Sequence, residues 1–295
     1  MISFLKNITQ RMRIGVHSEV VASPLFPPVE DPELIISRAA YASNPEKVIS
    51  SVKRFHDENF QQVSKALDLA EKQLRKCIAK PAKKDPAEDL ANEITCTRLY
   101  TLILGVWCEA RLHKLLYETS AFSETERFVV YNTKSIEQRW QAALDIGIKR
   151  HALLASTSEI SSETLGFSRF KIYEEIRNWI TLYLSPAMTL RNKIAHTQWV
   201  KTFGNMQGEW INSSDFSINQ SSMDLLRREN LLTTKLKSEL IKEVSTTINN
   251  LAVNNAKFQT ADFDERHKVV SAVVLKLESA NYPEYRAGIV DKFGS

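Results

Sequence analysis

Glycine is scarce in this chain, with 8 residues in 295, and proline is nearly so, with 9. So few breakers leave little material for the tight turns of a many-stranded sheet. Cysteine is scarcer still. Cys77, Cys96 and Cys108 make no C-x-x-C pair and no Cys/His zinc spacing, which excludes a disulfide scaffold and a zinc ribbon. Free thiols in a reducing cytoplasm are the expectation. No apolar run approaches the roughly 18 residues of a membrane span. Met1 to Arg13 interleaves its basic residues with apolar ones, which is not the order of a secretory signal. A Gly-rich phosphate loop, an H-E-x-x-H, a G-x-S-x-G and a dinucleotide fingerprint are all missing. No basic run is long enough to be a nucleic-acid tail, although a net charge of +4 permits an acidic partner.

What is present is helical. Hydrophobic residues make up 43% and charged residues 25%, an ordinary balance for a globular chain. Met1–Arg13 has the amphipathic spacing Ile2, Leu5, Ile8, Met12, suited to a membrane surface or to packing on a partner. Pro24, Pro27, Pro28 and Pro32 mark an extended linker. Asn44-Pro45-Glu46 starts a long helix through about Ala79, and the charged, proline-bounded stretch 80–86 is a domain boundary. The helix 88–119 is the most apolar. A connector with the β-prone Phe128-Val129-Val130-Tyr131 follows it. Helices are expected at 135–155, ending in Lys149-Arg150-His151, and at 170–184. That basic cluster suits either RNA phosphates or a solvated helix end. Residues 202–222 form a polar loop holding Trp210, Ile211 and Phe216, for stacking on bases or for a small hairpin over the core. A long helix over 222–258, another over 262–280 and a short tail after Asn281-Tyr282-Pro283 complete the chain.

One strip of residues stands apart from the packing pattern. Ser185-Pro186 has the form of a helix start, a serine cap followed by proline, and Gly204 of a helix stop. Between them Asn192 and His196 are four apart and share a face, with Arg191 beside Asn192. Leu190 and Ile194 repeat the same spacing on the core side. An arginine, an amide and an imidazole together suit proton transfer at an anion; the plain alternative is a buried helix whose polar groups satisfy local hydrogen bonds. Glu109 and Arg111 lie in the greasiest helix, where a charge needs a partner. Glu109 is therefore expected to reach Arg191, as its orienter, or to form an ordinary ion pair with an arginine on its own helix. With His113 four residues on, Glu109 supplies only two metal ligands, too few for a site.

The string Leu190-Arg191-Asn192-Lys193-Ile194-Ala195-His196 closely resembles the signature of HEPN domains, small helical domains that include many bacterial defence and toxin ribonucleases. Gly105-Val106-Trp107-Cys108-Glu109-Ala110-Arg111-Leu112 is similar to an early core helix of one HEPN subgroup. The resemblance implies an all-α, HEPN-like bundle. Its core would span 88–204, with an N-terminal arm and long helix over 1–80 and a C-terminal loop and helices over 205–295 completing it. It also implies catalysis by Arg191, Asn192 and His196, supported by Glu109 and Arg111, with no metal or cofactor. RNA carries its own nucleophile, the 2′-hydroxyl, so cleavage needs a base, a phosphate holder and charge stabilisation. Imidazole serves the first and a planar guanidinium the others. One imidazole is half of an acid–base pair, and HEPN ribonucleases complete it as two-fold homodimers. Such enzymes are restrained by an antitoxin, a nucleotidyltransferase or a regulatory RNA. The alternative is a non-catalytic HEPN-like module that binds RNA or protein.

Overall fold

Two long helices form where apolar residues recur at three- and four-residue intervals. The computed structural model describes residues 38–79, 85–204, 217–253 and 260–293. The expectations for 1–32, and for Trp210, Ile211 and Phe216, lie outside them. A short helix, α1 (Arg38–Ser43), ends with Asn44 N donating to Ala40 O at 2.9 Å. From Glu46 onward the chain is one compact unit. Its first element, α2 (Pro45–Ala79), buries Leu67, Ala70, Leu74 and Ile78. The next, α3 (Pro86–Leu116), has Pro86 in its first turn and Asp85 as cap, accepting from Ala87 N at 2.8 Å. Trp107 Nε1 donates to Ser64 Oγ at 3.0 Å and Tyr100 O–H to Glu71 Oε2 at 3.2 Å, fastening the two side by side. The long helix read as part of an N-terminal arm therefore shares the main core, and the expected boundary falls mostly on residues 80–84, outside the described ones.

The β-prone connector is a helix instead. In α4 (Glu124–Tyr131), Ser123 and Glu126 form a reciprocal capping box, which satisfies two orphan donors and outweighs the β preference of Phe128 and Val129. Helix α5 (Ile136–His151) follows with Ser135 as cap and buries Trp140, Leu144 and Ile148. A single turn, α6 (Ser162–Leu165), lies between it and the next long helix.

The next segment also departs from expectation. Helix α7 (Phe167–Trp179) does not stop before the motif. It passes through a π-helical turn at Ile180–Leu184 straight into α8 (Ser185–Ala195), so Ser185 caps nothing. Proline inside a helix has no N–H and clashes with the carbonyl four residues back. The wider turn, with Ser185 N donating to Ile180 O, accommodates Pro186 without a break.

Two further elements emerge from what sequence spacing joined or cut short. Over its described residues the expected helix 222–258 is two: α9 (Gln220–Arg228), capped by Asn219, and α10 (Leu231–Val253), with 254–258 outside them. Asn230 caps the second, its Oδ1 accepting from Thr233 N at 3.0 Å. After α11 (Thr260–Glu278) the short tail is a helix, α12 (Tyr282–Phe293), because Pro283 occupies a first-turn position, where it starts a helix instead of ending one. Helix α10 packs on α3, α5 and α11, and α8 packs on α3. The described residues are helical apart from connections and one isolated bridge, Phe203 to Ile218. None of their helices is long and apolar enough to cross a membrane.

Candidate functional site

The site is built where α8 crosses α3. Leu190 and Ile194 face inward and form a small second core with Leu226 of α9. Two residues along from each, Asn192 and His196 are exposed. Arg191 points at α3, and the crossing there is close. A Cβ placed on Gly105 would lie 2.4 Å from Arg191 Cβ and 2.6 Å from its Cγ, so only glycine fits. One turn further along α3, Glu109 Oε2 accepts from Arg191 Nη2 at 2.5 Å. Arg191 Nη1 donates to Asn192 Oδ1 at 2.8 Å. Of the two partners expected for Glu109, Arg191 is the one it meets. The pair is not buried, however, with side chains 29% and 28% exposed.

The motif helix is shorter than its sequence spacing implied. It ends at Ala195, and His196 is its C-cap, with φ −93° and ψ 35°. Gln198 N reaches Lys193 O at 3.0 Å and Thr197 N reaches Ile194 O at 3.1 Å. This is a Schellman closure, which places its next residue in the left-handed region. That residue is Thr197, at φ +66°, where a β-branched side chain is strained. Gly204, the expected stop, instead donates to Ser217 O at 2.8 Å. His196 keeps its own helical bond, N to Asn192 O at 3.1 Å, and its ring is held by no hydrogen bond among the described residues.

The segment after His196 is pinned from behind. Arg98 of α3, only 8% exposed, donates from Nε to Trp199 O at 3.2 Å and from Nη1 to Leu226 O at 2.6 Å. Lys193 Nζ donates to Phe203 O at 2.6 Å and Gln198 Oε1 accepts from Phe203 N at 2.8 Å. The cap that carries His196 is thus fixed on both flanks. Sequence spacing points to neither Thr197 nor Arg98. Gly105 has a signal there, as the one glycine of an otherwise greasy helix; a β-branched residue at a helix end gives none.

Other candidate groups lie elsewhere. Arg111 turns away from Arg191: its Nε donates to Ser245 Oγ at 2.8 Å and its guanidinium covers the Phe60 ring at 5.2 Å. Burial lowers its pKa, so it is a packing arginine. His113 does not join Glu109 in a ligand set. Its ring meets His56 edge-on at 5.3 Å and Tyr131 at 5.6 Å, and its Nε2 is buried without a hydrogen bond. Burial lowers the pKa of His113 and His56 alike. Among the described residues no three of His, Cys, Asp and Glu gather as a metal site needs. The basic cluster at the end of α5 is occupied internally: Arg150 Nη2 bonds Glu126 at 2.5 Å and its Nη1 bonds Ala121 O and Ala252 O, while Lys149 Nζ bonds Ser156 O at 2.7 Å.

A guanidinium has five N–H donors, so an Arg191 held by one carboxylate and one amide oxygen still has donors for a phosphate. Five residues further along the chain stands an exposed imidazole on a strained, fixed cap. The chain matches no protein-family model, no curated protein and no solved structure.

Proposed function

We propose that this protein is a HEPN-like endoribonuclease. In this reading His196 takes the proton from a ribose 2′-hydroxyl, whose oxygen attacks the adjacent phosphate. The P–O5′ bond breaks, leaving a 2′,3′-cyclic phosphate and a 5′-hydroxyl that receives a proton. Arg191 holds the phosphate and balances the charge that grows on its non-bridging oxygens. Asn192 keeps Arg191 in register. Glu109 orients the guanidinium from the neighbouring helix, at 2.5 Å. No step requires a metal, because the nucleophile comes with the substrate.

The observation that carries the reading is the pairing of a pre-oriented Arg191 with an exposed, unbonded His196 within two helical turns. The resemblance of Leu190–His196 to the HEPN signature supports it, and so does the all-helical architecture. One chain offers one such imidazole. The proposal therefore includes a two-fold homodimer that brings two Arg191/His196 pairs to a shared cleft, one His196 acting as base and the other as acid. A bacterial toxin–antitoxin or anti-phage setting, a cytoplasmic location and restraint by an antitoxin, a nucleotidyltransferase or a regulatory RNA belong to the same proposal.

A second reading is favoured by one feature. Glu109 offsets part of the Arg191 charge, which weakens charge stabilisation at a cleaved phosphate and so favours a non-catalytic HEPN-like module that binds RNA or protein. Purified protein incubated with RNA in EDTA separates the two. The nuclease reading expects cyclic-phosphate ends that vanish in Arg191→Ala and His196→Ala. Intact RNA shifted on a gel by all three proteins would establish the binding module instead.

A further inference from the structure

A cavity of about 710 Å³ opens between α10, α11 and α12, and it shares no residue with the candidate site. Its volume lies within the range of small-molecule sites. Its lining includes the apolar residues Leu232 and Leu236, one turn apart on α10, and Ile289 on α12. Beside Ile289 stands Gly288. It lies inside a helix, where glycine is a poor residue, and no left-handed backbone requires it. A Cβ built on it would meet no atom within 4 Å, so no neighbour of its own requires it either. A glycine that neither the backbone nor the packing demands, on the wall of a cavity, leaves room for something else to approach the helix.

The charges around the cavity have one prevailing sign. Lys276 and Lys292 line it and are exposed, and Arg75 lines it from α2. Arg75 is shared with Glu71 and the Tyr285 hydroxyl, at 2.8 and 2.7 Å. Lys276 has no ion-pair partner among the described residues. The one acid of the lining, Glu284, is turned to the start of its own helix, where its Oε2 accepts from Asn281 Nδ2 at 3.2 Å. An apolar floor with a lysine rim fits a ligand with an apolar body and one anionic head.

We propose that this cavity binds an amphipathic carboxylate, its chain laid over Gly288 between Leu236 and Ile289 and its head at Lys276. The chain length suited to a cavity of this volume is medium, and decanoate is the probe. Isothermal titration of the full chain should give one site for decanoate, bound at least tenfold tighter than decylammonium, which has the same chain and the opposite charge. Gly288→Phe should fill the cavity and abolish that site, and Gly288→Ala, with an equal or higher melting temperature, shows that the helix tolerates a side chain there. Lys276→Glu should remove the preference for the anion while leaving the melting temperature unchanged. Equal binding of decanoate and decylammonium overturns the proposal, as does decanoate binding that survives Gly288→Phe. Absence of any decanoate site up to about 1 mM overturns it as well.

Discussion

Arg191 Nη2 donates to Glu109 Oε2 at 2.5 Å, across a helix crossing that Gly105 holds close enough for Arg191 Cβ to rest on the backbone of α3. Position and charge are therefore set by different residues. Gly105 decides where the arginine stem lies, and Glu109 decides which way its head faces.

That division makes Glu109 testable apart from stability. A fully buried pair would lose about 3–5 kcal/mol when one partner is removed. At 28–29% exposure, water screens this one, and about 1 kcal/mol is the expected scale. Glu109→Ala should lower the melting temperature by only about 2–4 °C. RNA cleavage should fall far more, on the order of 10²-fold, as expected for a misplaced group. Glu109→Gln, which keeps an acceptor oxygen, should recover part of that loss. A melt lowered by ten degrees or more, with cleavage unchanged, would make the pair structural only.

Gly105→Ala tests the crossing itself. Its Cβ would sit 2.4 Å from Arg191 Cβ, so α3 and α8 must separate. Overpacking of this kind costs about 1–3 kcal/mol. The clash partner is Arg191 Cβ, and Arg191→Gly alone removes it. In a double-mutant cycle of chemical denaturation, the pair should couple by about 1 kcal/mol or more. Additive losses would show that α8 is not held by this contact.

Thr197→Gly should stabilise the protein by about 0.5–1 kcal/mol, because relief of left-handed strain exceeds the added freedom of glycine in the unfolded chain. The same change loosens the cap under His196, where Thr197 Oγ1 now donates to His196 O at 2.6 Å. Denaturant midpoints and cleavage rates should therefore move in opposite directions. A stabler variant with undiminished cleavage would separate the strain from the chemistry.

The elements legible in the sequence are those with sustained apolar spacing: α2, α3, α5 and α11 follow it closely. What spacing misjudged was punctuation. Pro186 has the form of a start and is absorbed by a π turn; Asn281-Tyr282-Pro283 does end the stretch before it, but Pro283 also begins α12. A proline is compatible with either role, and the hydrogen bonds around it decide. The nominal stop at Gly204 failed for a similar reason, since a Schellman closure earlier in the chain had already used Thr197. At the site, Arg191, Asn192 and Glu109 come together as their spacing and need for partners implied, while Arg111 goes elsewhere. Its partner Ser245 lies on a helix far along the chain, and no local pattern links the two.

A pH dependence follows from the two histidines beside α3. Burial lowers the pKa of both His56 and His113 below the ordinary 6.5, with Glu109 opposing it and Arg139 reinforcing it at His113. Asp57 opposes it at His56. Below about pH 6.5 the unfolded chain therefore takes up protons that the native protein refuses. Stability should be steady above that pH and fall as pH drops through it toward the native values. His113→Phe removes one titrating group without removing a hydrogen bond from Nε2, which has none. Its denaturant midpoint should depend less on pH between about 5.5 and 6.5. A dependence as steep as the parent's would assign the effect to other groups.

The proposed homodimer carries the most demanding prediction. Each chain offers one exposed motif imidazole, whereas in-line cleavage uses a base on one side of the phosphorus and an acid at the leaving oxygen. If two chains share a cleft, Arg191→Ala and His196→Ala each disable both halves of a mutant homodimer. A mixed dimer retains one Arg191 and one His196, on different chains. Mixing the two inactive proteins, after brief unfolding to exchange partners, should then recover a small fraction of parental cleavage that neither shows alone, because the mixed dimer keeps one imidazole as base beside one guanidinium and leaves the departing oxygen to be protonated by water. Recovery should track the heterodimer fraction measured by native mass spectrometry. The mixture is informative in either direction. If light scattering finds only monomer while the parent cleaves at full rate, both roles belong to one chain, and the acid must be sought among its own residues.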